Sequence, residues 1–369
     1  MNNKNFQTFF DCGFSKVRAS TFNTNNKDET FYADSKFFTD RSNLESKIQK
    51  IITFLEKNSN EYINNISLML DSPKTLSIGI SLFKKLGGSK LKQTNIQFLV
   101  QEAKQQILKH YINHNIAHII INNYRIDGVD YSYLPDKIKC DFVSLDILFI
   151  CLPIDIVLYF QNIFSKSNIS VNQVICSTYA KSINYKNNLN LSGHVSFIDV
   201  GFNRTSVISC FNDKILSLDV LPIGGNHITK DISQILEIDL ERSEQEKRNF
   251  GQSHKLSNYN NVSTQTLQKI IFARTEEILE LCVQSIESNL HTLSRFKIVL
   301  MGEGSKILDN HYKDKISFSK EIYFLDETLE DICQSGIKFT TGLNKQEVVV
   351  IPKKSIKHGF FEKLFHFFN

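Results

Sequence analysis

The chain has 369 residues, 41% of them hydrophobic, with 43 lysines and arginines against 39 aspartates and glutamates. That length supports two or three packed units and excludes a disordered tail or a small disulfide scaffold, while a net charge of +4 is too mild to announce a nucleic-acid groove. Seven cysteines without a Cys-x-x-Cys pair read as free thiols of a reducing cytosol. Residues 1–11 hold no apolar core of signal-peptide length. The most apolar run, 147–160, falls short of the roughly 20 residues of a spanning helix and contains Pro153 and Asp155.

In chain order, residues 6–10 predict a buried strand that turns at Asp11-Cys12-Gly13, and 17–22 predict the return strand of a hairpin. Residues 66–70 and 75–82 predict strands. Leu99, Ala103, Ile107 and Leu108 recur at helical spacing and predict a helix over 98–112. Strands at 116–121 and 142–152 and a helix at 154–165 follow, and the polar stretch 186–190 suits a connection. Residues 195–201 then repeat the strand-Asp-x-Gly design, followed by a β-rich stretch at 206–211. A long helical pattern covers 264–293, and 298–301 form a short strand entering a glycine turn. Two such hairpins half a chain apart predict two related halves facing a shared cleft, the first lengthened by an inserted α+β module near 74–152.

A nucleoside triphosphate needs backbone N–H groups at its phosphates, glycine for close approach, and a carboxylate to hold hydrated Mg²⁺. Asp11-x-Gly13-x-Ser15-Lys16 and Asp199-x-Gly201 offer these elements twice. A lone turn of this kind is more often a plain hairpin tip; the pairing points to phosphate. Leu300-Met301-Gly302-Glu303-Gly304-Ser305 reads either as an ordinary helix cap or as a turn that lets a flat base approach the backbone. His110, His114 and His118 would share one face of a continuous helix. They lack an acidic companion and run into Ile119-Ile120-Ile121, so strand is favoured over a metal site.

Asp11-Cys12-Gly13-Phe14-Ser15-Lys16-Val17 resembles the first phosphate loop of the FtsA family, the divisome branch of the actin-like ATPase superfamily. Residues 221–232, Leu-Pro-Ile-Gly-Gly-Asn-His-Ile-Thr-Lys-Asp-Ile, resemble that family's signature after the second hairpin. Ser243 to Gly251 resembles its Ala-Glu-x-x-Lys-x-x-x-Gly helix. The resemblance implies an α/β, actin-like fold, a duplicated ribonuclease H-like core with two lobes, an inserted α+β 1C subdomain and a C-terminal amphipathic helix. It implies subdomain 1A at 1–73 and 153–190, 1C at 74–152, 2A at 191–224 and 296–343, 2B at 225–295, a linker at 344–355 and a membrane-targeting helix at 356–369. ATP with Mg²⁺ is the implied cofactor. Its implied contacts are Asp11, Gly13, Ser15, Lys16, Asp199, Gly201, Asn203, Thr205, Gly224, Gly225, Glu244, Lys247, Gly302 and Gly304, with Asp11 and Asp199 toward the metal. The second loop departs from the family's glycines and threonine, reading Gly201-Phe202-Asn203-Arg204-Thr205. There Arg204 is expected to pair with phosphate, and any hydrolysis is expected to be slow or absent.

Residues 270–279 resemble the family's Pro-Arg-x-Glu-Glu-Ile helix with alanine for proline. This gives Arg274, beside Glu277, the role of gripping the acidic C-terminal peptide of FtsZ; an exposed arginine with an i,i+3 partner is an equal reading. In the tail, Ile356, Phe360, Phe361, Leu364, Phe365, Phe367 and Phe368 fall on one half of a helical wheel. Lys353, Lys354, Lys357 and Lys363 face Glu362 alone, so most of the net positive charge sits there. A helix docked on its own core would show the same pattern, but the charge, the phenylalanines and the preceding linker favour an anionic membrane surface. The resemblance implies a self-associating FtsZ tether at the division site, peripheral on the cytoplasmic face of the inner membrane, with other divisome proteins on 1C. The alternatives are a PilM-like pilus-assembly protein and a soluble actin-fold phosphotransferase.

Overall fold

The computed structural model describes residues 6–26, 29–36, 43–135, 138–212, 214–252, 262–289, 296–307 and 321–340. The linker at 344–355 and the amphipathic segment from Ile356 to Phe368 lie outside the described residues.

The first lobe opens with an antiparallel meander of β1 (Phe6–Cys12), β2 (Lys16–Asn23) and β3 (Thr30–Lys36). Helix α1 (Leu44–Ser59) crosses to β4 (Asn65–Leu70), which runs parallel to β1. A separate sheet follows, built from β5 (Leu76–Lys90), helix α2 (Gln93–His110), β6 (His114–Ile126), β7 (Val129–Tyr131) and β8 (Lys139–Pro153), with strand order β5-β8-β6-β7. Helix α3 (Ile154–Ser165) returns the chain to β9 (Ser170–Cys176), parallel to β4. The first sheet therefore reads β3-β2-β1-β4-β9.

Helix α4 (Ser177–Asn188) leads into a second meander, β10 (His194–Val200), β11 (Thr205–Phe211) and β12 (Lys214–Leu221). Helices α5 (Gly225–Leu236), α6 (Leu240–Gln252) and α7 (Val262–Asn289) precede β13 (Phe296–Met301), a 3-10 turn (Glu303–Ile307) and β14 (Ile322–Phe324). This sheet reads β12-β11-β10-β13-β14. In both sheets the first strand is central, the other two strands of its antiparallel meander lie on one side, and two parallel strands lie on the other. The duplication expected from the paired hairpins is thus present at the level of strand order.

Helix α1 buries Leu44, Ile48, Ile51, Ile52 and Leu55 on the first sheet, beside Val157, Phe160, Ile163 and Phe164 of α3. Each fully buried side chain of this size contributes about 1.5–3 kcal/mol, so packing supplies what the weak helix propensity of these Ile- and Phe-rich segments does not. The opposite face joins the lobes: Phe9, Met69, Tyr179 and Ile337 share one cluster with Val195, Phe197, Ile208 and Val299. Helix α8 (Leu329–Thr340) was expected to complete the second half, within 296–343. It packs instead against α4 and the first meander, where the Gly336 Cα lies so close to Met69 and Phe9 that an added Cβ would meet them at 2.6 and 3.0 Å.

The three histidines share no helix face. His110 ends α2, while His114 and His118 lie in β6. His118 is fully buried, and its Nε2 accepts the Cys176 backbone N–H at 2.8 Å, a packing role in place of ligation.

Candidate functional site

The two hairpin turns close in the same way. The Gly13 N–H donates to the Lys16 carbonyl at 3.0 Å and the Gly201 N–H to the Arg204 carbonyl at 2.8 Å. A Cβ at either glycine would stand 3.1 Å from that same carbonyl, so a side chain there would fit only if the turn gave way by a few tenths of an ångström.

The first turns of α5 rest on the second loop. Its Gly225 N–H donates to the Gly201 carbonyl at 2.9 Å and its Asn226 N–H to the Phe202 carbonyl at 2.7 Å, satisfying donors that a helix N-terminus leaves open. Gly224 is pressed against that loop, with a Cβ there falling 2.6 Å from the Gly201 oxygen. At the third turn Gly302 adopts φ +92°, a conformation that favours glycine, and its N–H donates to Glu327 Oε2 at 2.6 Å. A Cβ at Gly304 would collide with Val200. These three glycines admit protein backbone to one another.

A cavity of about 790 Å³ lies where the turns face each other, bordered by Ser15, Lys16, Gly201, Gly225, Glu244, Lys247 and Gly304. Asp11, Gly13, Asp199 and Gly302 border a smaller recess of about 80 Å³ beneath it. Asn203, Thr205 and Gly224 border neither. The Thr205 hydroxyl donates to the Ile223 carbonyl at 2.8 Å, and Asn203 Oδ1 accepts from Asn226 Nδ2 at 3.0 Å. Five cations border the larger cavity, Lys16, Lys36, Lys247, Arg248 and Lys306, against Glu244, Glu303 and Asp326.

On α6, Lys247 Nζ donates to the Gly225 carbonyl at 2.8 Å, to Thr229 Oγ1 at 2.7 Å and to Glu244. Burial pulls the Lys247 ammonium below its ordinary value, partly offset by Glu244. Burial alone would push Glu244 up, but Lys247 holds it below the usual carboxylate range. At the first turn, Lys16 pairs with Asp34 at 2.7 Å and with Glu303 at 3.2 Å, and Arg18 pairs with Asp11 at 3.0 Å and Glu303 at 2.8 Å. Burial would raise Glu303, yet Arg18 and Lys16 bring it down to about 2.

The expected metal ligands do not fit a divalent ion as arranged. Asp11 receives Arg18 on Oδ2 and the Ser177 hydroxyl on Oδ1 at 2.9 Å. Asp199 Oδ2 receives Thr178 Oγ1 at 2.8 Å, Arg204 Nη2 at 3.0 Å and Lys181 Nζ at 3.0 Å. Arg204, expected to meet phosphate, also pairs with Asp71. Burial would lower its guanidinium, but Asp71 and Asp199 more than reverse that and raise it. Among the described residues, no group of three or more His, Cys, Asp or Glu side chains is arranged to hold a metal ion.

Arg18, Lys181 and Glu327, buried, and the half-buried Asp71 are parts of this site that the motifs did not reveal. Asp71 has a legible signal, since it directly follows the apolar strand β4 as Asp11 sits one residue from the end of β1. Glu327 has none, because it reaches Lys181 and the Gly302 N–H only through the fold. Away from the cleft, Arg274 of α7 is bound twice to Asp231 of α5, at 2.6 and 3.0 Å, and to Glu277 at 2.6 Å. The hydrogen bonds to Asp231 raise its guanidinium.

The family model described as "Cell division protein FtsA" matches residues 196–307. The FtsA protein of Buchnera aphidicola subsp. Acyrthosiphon pisum is 25% identical over 359 residues, covering 84% of this chain and 84% of that protein. That of Bacillus subtilis is 33% identical over 109 residues, 26% of this chain and 25% of that protein. Among solved structures, the PilM-PilN type IV pilus biogenesis complex aligns with a TM-score of 0.63 at 14% identity, covering 87% of this chain and 88% of that one; at that identity the likeness concerns the fold. Motif order, the family match over residues 196–307 and a relative aligned along most of the length make this chain similar to FtsA proteins, on the actin-like two-lobed fold.

Proposed function

We propose that the chain is a cell-division protein that binds ATP in the cleft, self-associates, and tethers FtsZ filaments to the cytoplasmic face of the membrane at the division site. The observation that carries this reading is the cavity between the paired turns, where Lys16, Lys247 and Gly225 converge from both lobes and lining cations outnumber carboxylates. In this reading the adenosine lies between α6, with Glu244 and Lys247, and the Gly302–Gly304 turn. The phosphates lie over Ser15 and Lys16. Turnover is slow or absent, and the output is organisational. A repeated head-to-tail contact gives an open filament, with the third sheet and α2 as the 1C module that meets neighbours and other divisome proteins. The helix at 356–369 supplies weak anchors that add along that filament.

Purified protein on supported anionic bilayers, with labelled FtsZ and with or without ATP, tests the reading. The expected result is recruitment of FtsZ that depends on this protein. Absence of recruitment overturns the tether. Fluorescent ATP that shows no saturable binding up to about millimolar concentration, the weak limit of specific affinity, overturns the nucleotide site separately.

A further inference from the structure

Resting on the nucleotide reading above, we propose that the cleft takes its nucleotide free of a divalent ion, because buried arginine and lysine side chains occupy the carboxylates that would hold one. Mg²⁺ demands near-octahedral oxygen ligation and keeps several waters while using one or two carboxylates. Both carboxylates between the phosphate-loop turns already carry cations, Asp11 with both oxygens engaged and Asp199 through Oδ2. Asp11 is held by Arg18 and Ser177, and Asp199 by Arg204, Lys181 and Thr178.

The placement of Arg204 makes this a built feature. Its side chain is 8% exposed, and its Nη1 donates to the Asp199 carbonyl at 3.1 Å. The guanidinium lies directly under the second turn, with Cζ and Nη1 3.6 Å from the position a Gly201 Cβ would take. From there Nη2 reaches Asp71 at the end of β4 and Asp199 of β10 together, so one planar fork bridges the lobes at the level where an ion between Asp11 and Asp199 would sit. A divalent ion there would face the fixed charges of Arg18, Lys181 and Arg204 in a recess of about 80 Å³, where repulsion is screened far less than in water. Phosphate charge is met in the larger cavity by Lys16, Lys36, Lys247, Arg248 and Lys306.

The test titrates methylanthraniloyl-ADP and methylanthraniloyl-ATP into the full chain, in EDTA and in excess Mg²⁺. The inference expects dissociation constants within about threefold of each other in the two buffers. Binding tighter by about tenfold or more with Mg²⁺ overturns it and leaves the nucleotide reading standing. No saturable binding in either buffer overturns both. Arg204→Thr, with its fold checked by circular dichroism, is expected to gain Mg²⁺ dependence, whereas Arg204→Lys keeps independence; a Thr variant as metal-independent as the parent overturns the assignment to Arg204. Should the Thr variant unfold, Mn²⁺ paramagnetic resonance on the unaltered chain decides. An unchanged free-ion signal supports the inference, and loss of signal on adding protein overturns it.

Discussion

Glu303 joins the lobes at the residue scale, since a carboxylate from the second lobe receives Lys16 and Arg18 from the first. Its folded-state value of about 2 lies below the ordinary 4.5. The pairing therefore stabilises the fold fully above the ordinary value, and the contribution disappears as pH falls from about 4.5 to about 2. The side chain is 39% exposed, which screens part of that gain. Glu303→Gln is expected to be less stable at neutral pH and to lose less stability on acidification than the parent, as read by thermal unfolding across pH. Parallel curves would show that the pairing contributes nothing. His118 offers a second check. His118→Leu strands the buried Cys176 N–H and is expected to cost about 1–3 kcal/mol in chemical denaturation. The residues that could be read directly were those whose partners lie a few positions away, such as Asp11 and Gly13 or Asp199 and Gly201. Asp71 and Lys181 escaped because their partners sit 133 and 146 positions away in sequence, and no local pattern reports that.

Elements were legible where periodicity was strong and continuous. The helix expected over 154–165 and the strands around 66–70 and 298–301 are present within a residue or two. The strand expected over 75–82 runs on to Lys90, since its outer half alternates exposed and half-buried positions with lysines that a hydrophobic reading discounts. Short elements such as β7 and β14 draw their existence from neighbouring strands and leave little trace in sequence. Two predictions belong at this scale. Gly336→Ala forces a methyl into Met69 and Phe9 where α8 meets β1 and β4, and is expected to cost about 1–3 kcal/mol in stability. On α7, Arg274 is held by Asp231 and Glu277, so Asp231→Asn removes one of its two carboxylate partners and leaves Glu277 as the other. If Arg274 grips the acidic FtsZ peptide, anisotropy titration will show this variant binding about two- to fivefold tighter. Equal affinity would remove Arg274 from that interface.

At the scale of the whole molecule, the third sheet is not an isolated appendage. Asn122 of β6 exchanges two hydrogen bonds with Ile215 of β12, at 2.6 and 3.2 Å, and Lys214 Nζ donates to Asn123 Oδ1 at 3.1 Å. These contacts fix that sheet to the second lobe. Truncation after Lys354 is expected to abolish sedimentation with anionic liposomes while leaving the thermal midpoint unchanged; unaltered sedimentation would end the anchor reading.

The docking of α8 on the first lobe sets an order of events at the ribosome. Ser335 Oγ accepts from Asn184 Nδ2 at 2.9 Å, and Lys338 Nζ reaches Asn184 and Asn188, each at 3.1 Å. The N-terminal lobe is synthesised first but is sealed by residues 329–340. The part of its apolar face that α8 covers, around Phe9 and Met69, stays open until residues 329–340 are made, long after the lobe's own strands. Nascent chains of this protein therefore present chaperones with a half-built lobe until α8 emerges.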